Sequence, residues 1–395
     1  MLGYESELLP LPPGNWRTWK CVEHIMYCLV RYLPCFSRPV RTLERLIKLH
    51  NYSKLFRETS TYVGNIRVVQ KLKENDDLCR DALERGVFTV LYDLKPLLVK
   101  ATERRGLSIP WWGTDELMQK LFQLRMDPEA ILPQCILLNG CDDQPTARFA
   151  VNISSRKIAG TKDVSSDLQT QVEETFGASV FNVRKALFVV SPTEGQLMSQ
   201  AHSLLSWHVS HQFCSQCGGN TTKNLAGNKR RCTACEAEHY PQMAPVGIVL
   251  VSHENKCLLA RQKQFPPGMY SALAGFCDMG ECLEDTVRRE VAEEVGLEVD
   301  TVSYMSSQHW PFPASSIMFG CYATVTSMEL EVDKTELEDA QWFSLPQVQV
   351  ALLTGPLGFT RSKDTFESVP LWIPPREAIA HQLIRNWAEM KLKKR

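Results

Sequence analysis

The sequence predicts an α+β fold in three parts: an N-terminal α/β domain over 67–205, a small cysteine-rich module over 206–241 and a mixed α+β domain over 242–395. Three observations carry this. Apolar runs of strand length at 246–251, 257–261, 271–275, 302–308, 317–325 and 340–343 are separated by turn residues. Among them lies one glycine-bracketed acidic stretch with helical spacing, residues 275–297. Ahead of both, two Cys-x-x-Cys pairs stand fourteen residues apart.

Composition sets the bounds. With 395 residues, 44% hydrophobic and 23% charged, the chain has an ordinary globular composition with room for two or three domains. A formal charge of −1 supplies no global field for nucleic acid or membrane surfaces. No apolar run approaches the roughly 18 residues that span a bilayer. Fourteen cysteines in a chain this long, without a secretory signal at its start, read as thiols and metal ligands in an intracellular protein.

Residues 1–66 form an extension. From residue 26 it carries Arg31, Arg38, Arg41, Arg45, Lys48, Lys54 and Arg57 against only Glu44 and Glu58. That basic, acid-poor pattern is expected of a mitochondrial transit region; the alternative is a basic surface helix. The N-terminal domain shows strand pieces at 87–99 (interrupted by Pro96), 136–139 and 149–153, and helical pieces near 115–125 and 165–176. A helix over 194–208, with Thr193 as N-cap, turns Leu197, Leu204 and Leu205 toward a core. His202, His208 and His211 beside it read as structural, because a better ligand set follows at once.

That set is Cys214, Cys217, Cys232 and Cys235. Each pair makes a knuckle whose two thiolates reach one ion, and Gly218, Gly219 and Gly227 let the knuckles meet. Four sulfurs complete a tetrahedron and leave no open position, so the ion expected is structural Zn²⁺. Two disulfides are disfavoured by the intracellular composition, and a redox Cys-x-x-Cys needs no twin. Lys229-Arg230-Arg231 raises a nucleic-acid alternative for this ribbon. Without aromatic residues interleaved to stack bases, the triplet reads as solvated and the ribbon as a brace between domains.

In the acidic stretch, Glu281, Glu290, Glu293 and Glu294 are placed on one short helix between Gly280 and Gly296. At about 100° per residue, Glu290, Glu293 and Glu294 share an arc, and Val287, Val291 and Val295 a neighbouring one that can pack inward. Glu290 and Glu294 repel at i,i+4, and Glu293 and Glu294 lie at the negative end of the helix dipole. A cluster that opposes its own helix this way calls for a cation, and hard oxygens suit Mg²⁺ or Mn²⁺. The bland alternative is a solvated acidic face. Downstream, the 302–308 strand runs into Ser307-Gln-His-Trp-Pro-Phe-Pro-Ala-Ser315. It is either a packed aromatic-proline corner or a surface on which Trp310 and Phe312 stack a planar heterocycle. Residues 354–373 look irregular, and a last helix over 376–392 buries Ile379, Leu383, Ile384 and Trp387.

Gly275, five residues, Glu281, seven residues, Arg289-Glu290, then Glu293-Glu294, Gly296 and Leu297 match the Nudix box at every specified position. With the ribbon before it and the Ser307–Ser315 segment after it, the chain over residues 67–392 resembles the NADH pyrophosphatase subfamily of Nudix hydrolases. Arg184-Lys-Ala-Leu-Phe188 and Leu205-Ser-Trp-His208 are similar to its animal mitochondrial branch. His309 departs from the subfamily pattern, which has proline there.

The resemblance implies a Nudix α/β/α sandwich with a mixed sheet. It also implies hydrolysis of the central pyrophosphate of NADH or NADPH to reduced nicotinamide mononucleotide and AMP, or 2′-phospho-AMP. Glu290 and Glu294 are then the main ligands for Mg²⁺ or Mn²⁺, with Glu293 as ligand or general base, Glu336 as a further ligand and Arg289 orienting the cluster. Substrate contacts carried over by position are Tyr240, Ala274, Gln308, His309, Trp310, Pro311, Phe312, Pro313, Ala314, Ser315 and Ala380. A homodimer is implied as well. Removal of NAD caps from RNA 5′ ends is the rival enzymatic reading, since the same bond is cut. A zinc-ribbon binding protein with an inactive box is the rival from another class. No Gly-x-Gly-x-x-Gly turn opens a helix, which argues against redox use of the dinucleotide.

Overall fold

In the computed structural model the described residues are 62–102, 106–139, 146–154, 165–313, 315–354 and 371–393. Almost all of the expected transit region, Ala314 and most of the irregular 354–373 segment lie outside them.

The N-terminal domain begins with α1 (Tyr62–Glu74), which runs across the boundary expected at 66/67, and α2 (Asp76–Leu83). Its strands are β1 (Val87–Tyr92), β2 (Lys95–Lys100), β3 (Leu107–Ser108), β4 (Trp112–Gly113), β5 (Ile136–Leu137), β6 (Arg148–Ile153) and β7 (Ser179–Val180). Helices α3 (Thr114–Gln123), α4 (Pro128–Ile131), α5 (Ser165–Phe176), α6 (Val183–Ala186) and α7 (Pro192–Ser210) complete it. The sheet order is β3-β2-β1-β6-β5, with β1 and β6 parallel and Phe88 opposite Phe149. The 87–99 run is broken by a tight turn at Asp93-Leu94 (φ 45° and 62°), and Pro96 sits inside β2. Two positive φ angles make the primed turn that fits strand twist, and the Leu94 amide is held by Asn152 Oδ1 at 2.7 Å.

Helix α7 starts two residues before the expected cap. Ser191 is the N-cap, and Ser191 and Glu194 bond each other's backbone amides in a capping box. Pro192 occupies the first turn, where its missing N–H costs nothing. Leu197, Met198, Ala201 and Leu205 of α7 pack on Leu91, Leu98, Ile136 and Ala150 of the sheet.

The ribbon holds β8 (Thr221–Lys223), β9 (Arg230–Cys232) and β10 (Glu238–His239) in one small antiparallel sheet. The C-terminal domain follows with β11 (Ala244–His253), β12 (Lys256–Arg261), β13 (Leu273–Phe276), α8 (Leu283–Val295), β14 (Val299–Trp310), β15 (Ser316–Val325), β16 (Asp339–Ser344), α9 (Leu345–Thr354) and α10 (Ile379–Lys393). Its sheet runs β14-β15-β11-β12-β16, with β13 also on β11. β11 and β15 are parallel and the other pairs antiparallel, so the sheet is mixed as expected.

Alternation along β11 and β12 builds two cores. Ile248, Leu250, Cys257 and Leu259 face α9 and α10, packing with Val348, Leu383, Ile384 and Trp387. Val249, Val251, Leu258 and Ala260 face α8, packing with Val287, Val291 and Val295. Both faces of the sheet are covered, which gives the α/β/α sandwich. Each of the three valines is at most 1% exposed, and burying one contributes about 1.5–3 kcal/mol.

Two helices differ from expectation. The ten residues of α9 escaped the sequence reading because their Val and Gln alternation suits a strand equally well; the signal was Ser344, whose amide and hydroxyl both donate to Gln347 Oε1. The last helix starts at Ile379 instead of 376, where Gln308 Oε1 takes the Ile379 amide at 2.8 Å.

Candidate active site

The acidic helix is built differently from its sequence image at one point. α8 begins at Leu283, so Glu281 precedes the helix. There its carboxylate accepts from the Asp278 amide and the Thr286 hydroxyl, and it takes a two-pronged hydrogen bond from Arg289 (Nε at 2.6 Å, Nη2 at 3.0 Å). Arg289 Nη1 also donates to Glu290 at 2.8 Å and Glu293 at 2.9 Å, and Nη2 to the Phe276 carbonyl at 2.8 Å. One guanidinium thus ties three carboxylates and the end of β13 into a single unit, as its planar fork allows. Chiefly through Arg289, the Glu281 carboxyl is held down to about 2. Glu281 anchors the arginine, and the arginine presents Glu290 and Glu293.

Gly275 explains itself in the same geometry. A Cβ there would lie 1.8 Å from Glu290 Cδ and about as close to both carboxylate oxygens. The backbone of β13 is the wall against which Glu290 lies. Gly296, at φ 69°, ends α8 in the left-handed region and donates its amide to the Ala292 carbonyl.

Glu294 is the buried member, only 3% exposed, and its Oε2 has no hydrogen-bond partner among the described residues. Burial first, then the charges of Glu290, Glu336 and Glu293, push its carboxyl up to about 8. Burial also raises Glu290, against the pull of Arg289. Glu336 reaches the cluster through the backbone. The amides of Glu331 and Asp333 donate to the Val295 and Glu294 carbonyls, capping the end of α8, and the turn that follows carries Glu336. A buried carboxylate with a free oxygen, pressed by three others, is a donor set that fits a hard divalent cation. The glutamate oxygens are spread more widely than the thiolates: among the described residues, only the four cysteines bring three or more ligand atoms within 4.8 Å of one another.

In the ribbon, Cys214 and Cys235 sulfurs are 3.7 Å apart and Cys217 and Cys232 sulfurs 3.5 Å. A tetrahedral zinc with bonds of about 2.3 Å needs edges of roughly 3.8 Å, so the cage has the right size. Backbone amides of Gln216, Ala234 and Cys235 point at the sulfurs of Cys214 and Cys232, and His239 Nε2 lies 3.2 Å from Cys214 Sγ. The basic triplet divides between the interior and the surface. Arg230 is buried, donating to Thr221 and to His208 Nδ1, while Lys229 pairs with Glu238 and Arg231 with Glu236. Arg230 is thus corrected from a solvated residue to a strut. The ribbon docks on the N-terminal domain through Lys223 to the Cys135 carbonyl, Asn224 to Lys73 and Leu225 to Asp76. His202 bonds the Leu94 carbonyl, His208 the Gly227 carbonyl and His211 the Trp207 carbonyl, so all three are structural.

Residues 210–240 match a family model described as NADH pyrophosphatase zinc ribbon domain, and 241–385 one described as NUDIX domain. Over 339 residues the sequence is 45% identical to the NAD(P)H pyrophosphatase NUDT13, mitochondrial, of Mus musculus, covering 85% of this chain and 94% of that protein. The chain belongs to the NAD(P)H pyrophosphatase family of Nudix hydrolases. Its similarity to the Homo sapiens protein of the same name is 44% identity over the same length, covering 93% of that protein. The NAD-capped RNA hydrolase NUDT12 of Homo sapiens is 43% identical over 212 residues, 51% of this chain and 43% of that protein.

The substrate contacts that the NAD(P)H pyrophosphatase resemblance implies fall into two groups. Ala274 on β13 lies beside Gly275, and the residue after that glycine, Phe276, is 48% exposed. Tyr240 is 53% exposed, with its hydroxyl donating to Glu238. The second group is packed into the protein. Strand β14 extends through Trp310, leaving a short hairpin, 311–315, before β15. The amide of Gln308 is committed on both sides, donating to the Glu377 carbonyl and accepting from Ile379. Trp310 packs on Phe188 (centroids 6.1 Å apart) and Phe312 (5.7 Å), while Phe312 also meets His202 and the Arg184 guanidinium. Pro311 is buried, Pro313 exposed, and the Ala380 side chain belongs to the core beside Ile379 and Leu383. Phe276 was missed in the sequence, where an aromatic after Gly275 carries no periodic signal. Its exposure beside the Glu290 wall is a tertiary fact.

Proposed function

We propose that this Nudix hydrolase cleaves the central pyrophosphate of NADH or NADPH, releasing reduced nicotinamide mononucleotide and AMP or 2′-phospho-AMP. The observation that supports it most is Glu294, buried with a free oxygen among Glu290, Glu293 and Glu336. Glu290, Glu294 and Glu336 would hold Mg²⁺ or Mn²⁺, with Glu293 beside them. Such an ion, when bound, offsets the charge of the pyrophosphate and lowers the pKa of water. The protein's own share is placement. Arg289 fixes Glu290 and Glu293 relative to each other, and Glu281 fixes Arg289. Glu293 is exposed beside Arg289, and its carboxylate can take the proton of the attacking water. Water adds to one phosphorus as the bridging P–O bond breaks, and the leaving phosphate retains the bridging oxygen. Phe276 and Tyr240 offer exposed ring faces for a base or nicotinamide. Zn²⁺ in the ribbon closes four thiolates and leaves no position for substrate.

The test incubates purified protein with Mg²⁺ or Mn²⁺ and, in turn, NADH, NADPH, NAD⁺ and ADP-ribose. Release of AMP, or of 2′-phospho-AMP from NADPH, is expected; no release from any of the four sinks the proposal. Removal of NAD caps from RNA is decided by competition between NADH and capped RNA, and the burial of Arg230 leaves the ribbon without a run of three accessible cations. Mitochondrial residence is proposed from the basic stretch at 26–66 and the names of the mouse and human relatives. No helix among the described residues is long and apolar enough to cross a membrane. A homodimer is proposed from the family resemblance, and light scattering of the purified chain tests it.

A further inference from the structure

An imidazole joins two segments far apart in the chain. His309 Nδ1 lies 2.8 Å from Ser199 Oγ, and its Nε2 lies 3.0 Å from Ser315 Oγ. Ser199 is 3% exposed on α7 of the N-terminal domain, while Ser315 closes the 311–315 hairpin of the catalytic domain. A hydroxyl can donate or accept, so both serines satisfy a neutral imidazole in either tautomer.

Ser315 has φ 68°, a left-handed conformation that a residue with a Cβ keeps only when its surroundings hold it there. Its amide points to the Pro311 carbonyl, its carbonyl accepts from Ala244, and its hydroxyl meets His309. Two rings at the hairpin and at the end of β14 rest on the same domain: Phe312 has Arg184 4.9 Å from its centroid, and Trp310 packs on Phe188. The backbone of Ser315 is thus held within the catalytic domain, while the imidazole and the rings lean on the N-terminal domain through Ser199, Arg184, Phe188 and His202.

We propose that Ser199–His309–Ser315 is a clamp through which the N-terminal domain sets the position of the 311–315 hairpin, and thereby the affinity for the dinucleotide. His309 is a positioning residue, acting through Ser315 and the two rings without touching substrate. The effect on affinity rests on the dinucleotide reading given above; the clamp itself does not.

The test uses the full chain with zinc bound and the variants Ser199→Ala, His309→Phe, both together, and Ser199→Thr. Hydrogen exchange of peptides over 308–318 is measured without substrate, and kcat and KM for NADH are measured alongside. Each disruptive single variant is expected to speed hairpin exchange and raise KM about five-fold, with kcat within about two-fold, the scale of one lost hydrogen bond. The double variant should be no worse than His309→Phe, since losing the imidazole already cuts the link to Ser199, and Ser199→Thr should keep the wild-type values. Unchanged exchange, unchanged KM despite faster exchange, or additive effects in the double variant would each overturn the clamp. If His309→Phe fails to fold, judged by lost zinc, Ser199→Ala carries the test alone. A wild-type chain that hydrolyses no dinucleotide would sink the proposed function instead, and the exchange measurement would still judge the clamp.

Discussion

Gly275→Ala should separate activity from stability. The new methyl would lie 1.8 Å from Glu290 Cδ and 1.9 and 2.1 Å from its oxygens. Carbon atoms in contact prefer about 3.5–4.0 Å, so the carboxylate must retreat by roughly 1.7 Å or more. It is the far end of a flexible side chain, and the retreat breaks only the 2.8 Å bond from Arg289 Nη1. The fold should lose no more than about 1 kcal/mol. The active geometry should lose far more. A displacement of about 1 Å in a catalytic group can cost on the order of 100-fold in rate, or about 2.7 kcal/mol of barrier. The assay is AMP release from NADH at saturating Mg²⁺ or Mn²⁺, with Tm and zinc content measured on the same samples. A kcat within about three-fold of wild type would refute the claim that Gly275 exists to seat Glu290. Glu290→Asp, one methylene shorter, should recover part of the loss when combined with Gly275→Ala and not by itself.

Three further outcomes follow from the same structure. Glu294→Gln should reduce kcat by at least about 1000-fold while leaving zinc content unchanged, because an amide keeps the shape and loses the charge a divalent cation needs; unchanged turnover would remove the box from the mechanism. Cys217→Ser, or stripping zinc with a chelator, should lower Tm and expose the seam where Lys223, Asn224 and Leu225 meet the N-terminal domain, read as faster hydrogen exchange at 135–137; unaltered exchange there would show that the ribbon's dock does not depend on the ion. His208 is pushed down to about 4, chiefly by burial, while it accepts from Arg230. Its folded value lies below its ordinary 6.5, so the stability it contributes is present above pH 6.5 and fades as pH falls toward 4. That loss is on the order of 3 kcal/mol at the acid end. Wild-type Tm should therefore fall more steeply between pH 6.5 and 5 than that of His208→Gln at matched zinc content, and parallel profiles would refute it.

Much of the site was legible because its chemistry is local. The two cysteine knuckles and the run from Gly275 to Leu297 lie within short stretches, so spacing alone places their ligands on one ion or one helical arc. What distant chain supplies was less legible. The cap of α7 was misplaced by two residues because Thr193 and Ser191 are both acceptable caps in isolation, and Pro192 with Glu194 decides between them. Lys229-Arg230-Arg231 looked solvated because nothing in a three-residue run announces that Thr221 and His208 await the middle one. The Trp310–Phe312 loop looked like a stacking platform, and its rings are in contact with Phe188, His202 and Arg184 more than one hundred positions earlier.

The sequence by itself determined the mixed α+β class, the zinc cage and the acidic helix with its inward valine stripe, since each depends on periodicity or spacing within one segment. Only the tertiary structure decided what each carboxylate is. Four glutamates with the same chemistry differ because of where the chain returns. Glu281 drops off the helix to hold Arg289, Glu290 lies in the gap left by Gly275, Glu293 faces solvent, and Glu294 is buried and pushed up to about 8. Burial and charge proximity are set by contacts across the fold, and no local pattern encodes them.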